Sequence, residues 1–191
     1  MKKHIGFVLK NYQYSIPTFS VFDRRDGKFS CVIKNGTGIS PGTLISYFVI
    51  KKTPRYRITG VEVQDVPLVL ARENIVLLHH LLELCFYFLA PRARARKTFD
   101  LLLFFYNHAD SLTTPLHKKL FLFKLVVSFG FYAGHAPLSV HLFHRLSSES
   151  IDSIVSSSLQ LKVEKDIDLW IASCIAMHPQ AKDFKTVRFL K

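Results

Sequence analysis

The feature that most constrains this chain is a change of hydrophobic rhythm at Val66-Pro67. Before it, apolar residues come in short runs: Ile5–Lys10 (IGFVLK), Thr18–Asp23 (TFSVFD), Phe29–Lys34 (FSCVIK), Leu44–Lys52 (LISYFVIKK) and Arg55–Asp65 (RYRITGVEVQD). These runs are rich in β-branched and aromatic residues, which pack well on a pleated, half-buried surface. Turn chemistry separates them. Asp26-Gly27 is a hairpin signal, Asn35-Gly36-Thr37-Gly38 and Pro41-Gly42 make a loop, and Thr53-Pro54 breaks the fourth run from the fifth. Five strands within about 65 residues make a sheet too small to leave its edges open, so the pattern predicts a closed barrel of the OB type.

After Val66-Pro67 Gly and Pro become sparse, and Leu-rich runs exceed about 10 residues, longer than ordinary strands. The pattern predicts helices at roughly 71–89, 95–108, 115–133, 137–146, 148–159 and 164–177. Pro115 and Pro137 suit first turns, Asp110-Ser111 and Gly134 suit breaks, and Ser147 and Ser150 offer caps. The expected class is α+β with two domains. Residues 1–70 form a five-stranded OB-type barrel that holds nucleic acid, and residues 71–191 form an all-α domain that handles protein partners.

Charge indicates what the barrel holds. A net charge of +12, from 26 Lys and Arg against 14 Asp and Glu, calls for a polyanionic partner. Nucleic acid is the commonest, and a membrane surface or an acidic protein would also satisfy it. Residues 1–70 carry 11 basic against 4 acidic residues and residues 71–191 carry 15 against 10, so the barrel is the more basic part. With 49% hydrophobic and 21% charged residues the chain can bury a core and is not of disordered composition. Cys31, Cys85 and Cys174 are widely spaced within apolar stretches, which argues for a reducing compartment and against a disulfide framework or a cysteine zinc site. The start, Met1-Lys2-Lys3-His4-Ile5, runs into a strand pattern without the apolar core of a signal peptide, so no export is expected. The apolar stretches Ile75–Leu89 and Leu120–Ala133 fall short of about 18 uninterrupted residues and contain His79, His80, Glu83 and Lys124. They read as buried helices, with no membrane partner and a cytoplasmic location.

The candidate nucleic-acid contacts are Lys10, Arg24, Arg25, Lys28, Lys34, Lys51, Lys52, Arg55 and Arg57, alongside Lys2 and Lys3 and interleaved with Tyr12, Tyr14, Phe19, Tyr47 and Tyr56. Cations follow phosphates, and aromatic faces accept stacked bases without demanding a sequence. For any single ring a place in the barrel core is the stronger expectation. A second cluster, Arg92, Arg94, Arg96 and Lys97, opens a presumed helix, where cations oppose the dipole and an acidic ligand would favour them. Lys118, Lys119 and Lys124 form a third group at helical spacing. These two clusters are the candidate partner-binding residues.

No enzyme is expected. The chain has no G-x-S-x-G, no phosphate-cradling G-x-x-x-x-G-K-[ST], no H-E-x-x-H and no G-x-G-x-x-G. His141 and His144 share a helix face near His135, but no Cys, Asp or Glu between 135 and 148 completes a ligand set, so neither metal nor cofactor is expected. Asp166 and Asp168 read as acids at the start of the last long helix.

The layout resembles the bacterial RecO family of DNA repair and recombination mediators. Gly6-Phe7-Val8-Leu9-Lys10, followed by Phe19-Ser20-Val21-Phe22-Asp23-Arg24-Arg25-Asp26-Gly27-Lys28, looks like that family's opening of G-x-V-L-K, a strand, and a short turn with G-K. The end, Lys185-Thr186-Val187-Arg188-Phe189-Leu190, is similar to its basic tail, and Ser128-Phe129-Gly130-Phe131 to the segment closing its helical domain. Many members then carry a four-cysteine zinc module. Gly134 to Leu146 has no cysteine here, which matches the short form without that module. The resemblance implies binding of single- and double-stranded DNA, strand annealing, and RecA loading together with a RecR-like protein. It further implies docking of the acidic C-terminal tail of single-stranded-DNA-binding protein on the helical domain, and association with the nucleoid when engaged on DNA. Read without the resemblance, the residues also suit an RNA-binding or ribosome-associated OB protein, or a basic interaction scaffold. A nuclease is disfavoured because no tight carboxylate cluster is visible.

Overall fold

The computed structural model describes residues 2–12, 17–33, 38–51, 56–112, 114–132, 138–156 and 160–190. It divides into two compact units, Met1–Asp100 and Leu101–Lys191.

In the first unit the five expected runs are five strands: β1 (Lys3–Tyr12), β2 (Thr18–Asp23), β3 (Gly27–Ile33), β4 (Leu44–Lys51) and β5 (Tyr56–Asp65). They close an OB-like barrel in the order β1-β2-β3-β5-β4. Closure is possible because β1 serves two neighbours. Lys3–Phe7 pairs with β4 and Gly6–Tyr12 with β2, with a register shift between Val8 and Lys10 of the kind that bends a strand. β3 and β5 pair in parallel.

Alternation puts Val8, Phe19, Val21, Phe29, Cys31, Ile33, Ile45, Tyr47, Tyr56 and Ile58 inside the barrel. Each large apolar side chain buried there is worth about 1.5–3 kcal/mol. Phe19, Tyr47 and Tyr56 are therefore core rings, while Tyr12 is half-buried. β2 departs from alternation, with all six positions buried. Its outward Phe22, like Phe7 of β1, packs against Phe99, at ring separations of 5.4 and 5.0 Å.

The unit continues through α1 (Leu68–Glu73) and α2 (Ile75–Phe88), where Asn74 divides the single helix expected over 71–89. Helix α3 (Arg96–Asn107) begins in this unit, and the division between the units falls within it.

The second unit holds the rest of α3, α4 (Pro115–Ser128), α5 (Val140–Ser148), α6 (Ile151–Val155), α7 (Gln160–Ala176) and short 3₁₀ turns. Pro115 takes the first turn of α4 as expected, after Thr114, which caps it. Ser150 caps α6 as expected, whereas Ser147 lies inside α5, where its hydroxyl donates to the Phe143 carbonyl; Ser139 caps that helix. Pro137 and Gly134 lie outside the described residues. Trp170 of α7 is fully buried against Phe123 of α4 and Phe143 of α5, with ring centroids 4.8 and 5.5 Å away. Because α7 begins at Gln160, Asp168 stands in mid-helix and not in the first turn. There its carboxylate takes a 2.6 Å hydrogen bond from Lys119. Among the described residues, no helix is long and apolar enough to cross a membrane.

Candidate nucleic-acid interface

The β2–β3 turn is built on Asp23. Its Oδ1 accepts the backbone N–H groups of Arg25 and Asp26, each at 2.7 Å, and its Oδ2 accepts the Tyr47 hydroxyl at 2.6 Å and faces His4 Nδ1 at 3.2 Å. The carboxylate is 1% exposed, so these partners replace its water. The turn thereby points Arg24 and Arg25 outward, and both are exposed.

Gly27 closes the turn at φ +72°, and a Cβ there would lie 2.2 Å from the Ala93 carbonyl oxygen. The chain after α2 therefore runs directly against the turn. The Arg92 N–H donates to the Lys28 carbonyl at 2.8 Å, and Pro91 forms a parallel bridge with Lys28. Arg92 has φ +61°, the one positive φ of a non-glycine residue among the described residues, a conformation that costs about 1–2 kcal/mol. The N–H bond holds it there, with the guanidinium 5.5 Å from the Tyr56 ring centre.

Two basic clusters far apart in sequence thus form one exposed patch of Arg24, Arg25, Arg92, Arg94, Arg96 and Lys97. Its charge is little offset. Arg24 pairs with Asp100 at 2.9 Å, but both side chains are about half open to water, where such a pair contributes about 0–1 kcal/mol.

Lys10 and Lys28 lie on the outer barrel face. Their ammonium groups are 4.7 and 5.1 Å from the ring centre of Phe86, near the end of α2, and Lys10 is also 5.3 Å from that of Tyr12. Lys28 donates a hydrogen bond to the Phe86 carbonyl, so it also fastens the end of α2, and burial pulls its pKa down. Arg57 is exposed on β5. Lys34, Lys52, Arg55 and Tyr14 lie outside the described residues, as does the side chain of Lys51. The placement of Phe86 beside these lysines is not legible in the sequence, because Phe86-Tyr87-Phe88 reads as the end of an apolar helix.

No family model matches this chain, and no curated protein sequence matches it.

In the second unit two of the three expected partner-binding lysines are engaged within the fold. Lys119 is bonded to Asp168 at 2.6 Å and lies 3.4 Å from Glu164. Burial works against its charge, but the two carboxylates outweigh it and raise its pKa, while burial raises that of Asp168. Lys124 donates to the carbonyls of Ser147 and Glu149 at 3.2 and 2.8 Å, and burial lowers its pKa. Lys118 is half-buried. An apolar cleft of about 390 Å³ lies among Phe104, Phe105, Phe121 and Ile151, with His117 and Lys124 also lining it. His141 and His144 are exposed on α5, and His135 lies outside the described residues. Among the described residues, the one grouping of metal-ligand type is His4, Asp23 and Asp26. Oδ1 of Asp23 is already engaged in holding the turn, and Oδ2 in accepting the Tyr47 hydroxyl.

Proposed function

We propose that this chain is a DNA-binding protein without covalent chemistry, acting as RecO-type mediators do. The barrel unit binds single- and double-stranded DNA and lowers the repulsion between strands so that complementary strands anneal. The helical unit receives protein partners. The observation that carries the reading is the apposition of Gly27 and Ala93, which turns two basic segments into one cationic surface on an OB-like barrel. A surface that neutralises several phosphates releases condensed counterions, and this supplies affinity independent of sequence. The apolar cleft among Phe104, Phe105, Phe121 and Ile151 supports docking of a partner segment through its apolar side chains, the acidic tail of a single-stranded-DNA-binding protein being the one the resemblance implies. Joint action with a RecR-like protein and RecA loading belong to the same reading and rest on the sequence resemblance.

Fluorescence anisotropy of the full chain with labelled DNA and matched RNA, across a salt series, tests the reading. Arg24→Ala/Arg25→Ala and Arg94→Ala/Arg96→Ala should each weaken binding and flatten the slope of log K against log salt by about 1–2. Salt-insensitive or absent binding would overturn the reading, and a preference for RNA would redirect it to the RNA-binding alternative.

A further inference from the structure

Among the described residues, six of the thirteen large apolar side chains left open to water lie between Val63 and Val76. They are Val63 near the end of β5, Val66 after it, Leu68 and Val69 on α1, and Ile75 and Val76 in the first turn of α2. Leu68 is 70% exposed. Scattered singly, such side chains are ordinary, but gathered into one short stretch they make a patch of the kind that marks an interface. The helices explain why they gather. α1 buries Leu70, and α2 buries Leu77, Leu78 and Leu81. The other side of each helix is left to Leu68, Val69 and Arg72 and to Ile75, Val76 and His79, each set at helical spacing and exposed.

Charge decides what suits this patch. From Val61 to Val76 the chain carries Glu62, Asp65 and Glu73 against Arg72, in a protein whose net charge is +12. Glu62 is answered by Lys3 of β1, which still leaves the stretch without net positive charge. Phosphate surfaces, whether of nucleic acid or of a membrane, gain nothing there, and acidic segments are repelled. A second copy of this basic chain meets the reverse constraint, since it approaches most easily where positive charge is least. Arg72 and Glu73 are adjacent and exposed, and among the described residues neither has an ion-pair partner. A face that carries an open cation and an open anion beside apolar side chains is its own complement. A two-fold axis sets one residue against another and repeats the contact with the copies exchanged.

We propose that this face of α1 and the start of α2 is a self-association surface, which pairs with the same face of a second copy about a two-fold axis. Leu68, Val69, Ile75 and Val76 of the two copies cover one another, and Arg72 of each copy lies against Glu73 of the other. The patch is small, so the pair is a weak one, with a dissociation constant on the order of 10 μM. Sulfate screens the repulsion between two cationic chains and strengthens apolar burial, so it tightens the pair. Salt loosens phosphate contacts, so self-association and DNA binding respond to it in opposite directions. The inference does not rest on the DNA-binding reading. On that reading, a pair presents two cationic patches, one to each of two strands.

Sedimentation velocity of the full chain without DNA, from about 1 to about 100 μM and at low and high sodium sulfate, tests the proposal. The sedimentation coefficient should rise with concentration toward that of a dimer, and should do so at lower concentration in high sulfate. Leu68→Ser/Ile75→Ser should raise the dissociation constant about tenfold or more. Arg72→Glu and Glu73→Arg should each keep the wild-type thermal midpoint and sediment as monomers where the wild type pairs. An equimolar mixture of these two variants should recover the dimer, because each supplies the charge that the other lacks. Neither of them removes an apolar contact, so the mixture decides the matter even if the double serine variant unfolds. A wild type that stays monomeric to about 100 μM, a dimer that a folded Leu68→Ser/Ile75→Ser leaves untouched, or a mixture no more associated than its components overturns the proposal.

Discussion

The barrel unit and the helical unit both carry basic clusters that look alike in sequence, yet the fold uses them in opposite ways. Arg25, Arg57, Arg92, Arg94, Arg96 and Lys97 stand exposed on the first unit. Lys119 and Lys124 of the second unit face inward, one to Asp168 and Glu164 and the other to two carbonyl groups. The difference lies in what surrounds each cation. The β2–β3 turn and the segment leading into α3 meet through the backbone at Gly27 and Ala93, which leaves their cationic side chains in water. Lysines on α4 face α7 and the α5–α6 connection, and a buried ammonium must be paired. Clustered charge in a sequence therefore names a binding surface only when the element bearing it has no neighbour to satisfy.

Four experiments break or sharpen this contrast. The largest effect is expected for Gly27→Ala. Its new Cβ meets the Ala93 carbonyl at 2.2 Å in a left-handed backbone conformation, which should cost about 3 kcal/mol in thermal or urea unfolding. DNA affinity should fall with it, although no cation is removed. Full affinity in this variant would show that the two halves of the patch act independently.

Lys119→Met is the counterpart in the helical unit. It strands the buried Asp168 carboxylate and should cost about 2 kcal/mol while leaving DNA binding unchanged. Loss of DNA affinity in the folded variant would remove the contrast.

Cysteine chemistry reads the two units separately. Burial pushes the thiols of Cys31 and Cys85 in the first unit and Cys174 in the second up to about 12, from an ordinary value near 9. A raised folded-state value contributes stability that is complete below about pH 9 and is lost as pH rises toward 12, because the unfolded thiols ionise first. Iodoacetamide at pH 8 should therefore spare all three in the native protein. In rising urea, Cys174 labelled at a different midpoint from Cys31 and Cys85 would show that the units unfold independently. The smallest effect is expected for Lys3→Ala. It removes an exposed pair with Glu62 and should leave the thermal midpoint where it was.

The barrel was legible because its signals are local. Alternation marks the strands, and Asp26-Gly27 marks the turn that Asp23 then holds. The helical region was legible in kind but not in its breaks, since Asn74 interrupts an unbroken apolar run and α4 stops at Ser128 rather than near 133. The site was legible only in pieces. Arg24 with Arg25 and Arg92 to Lys97 were both visible as charge, and they were assigned to different partners because nothing local reports that Gly27 touches Ala93. Phe86 stayed hidden for a related reason. The lysines that flank it come from β1 and β3, and its own neighbours in sequence spell only an apolar helix end.

The contact between Gly27 and Ala93 also sets an order of events. During synthesis the strands Lys3–Asp65 leave the ribosome before Arg92–Lys97, so a nascent chain can begin its barrel while its cationic surface is still half made. On the DNA-binding reading proposed above, affinity would then be acquired late and all at once. By linkage, bound DNA at a hundred times its dissociation constant would add about 2.7 kcal/mol to the folded state that holds the two segments together.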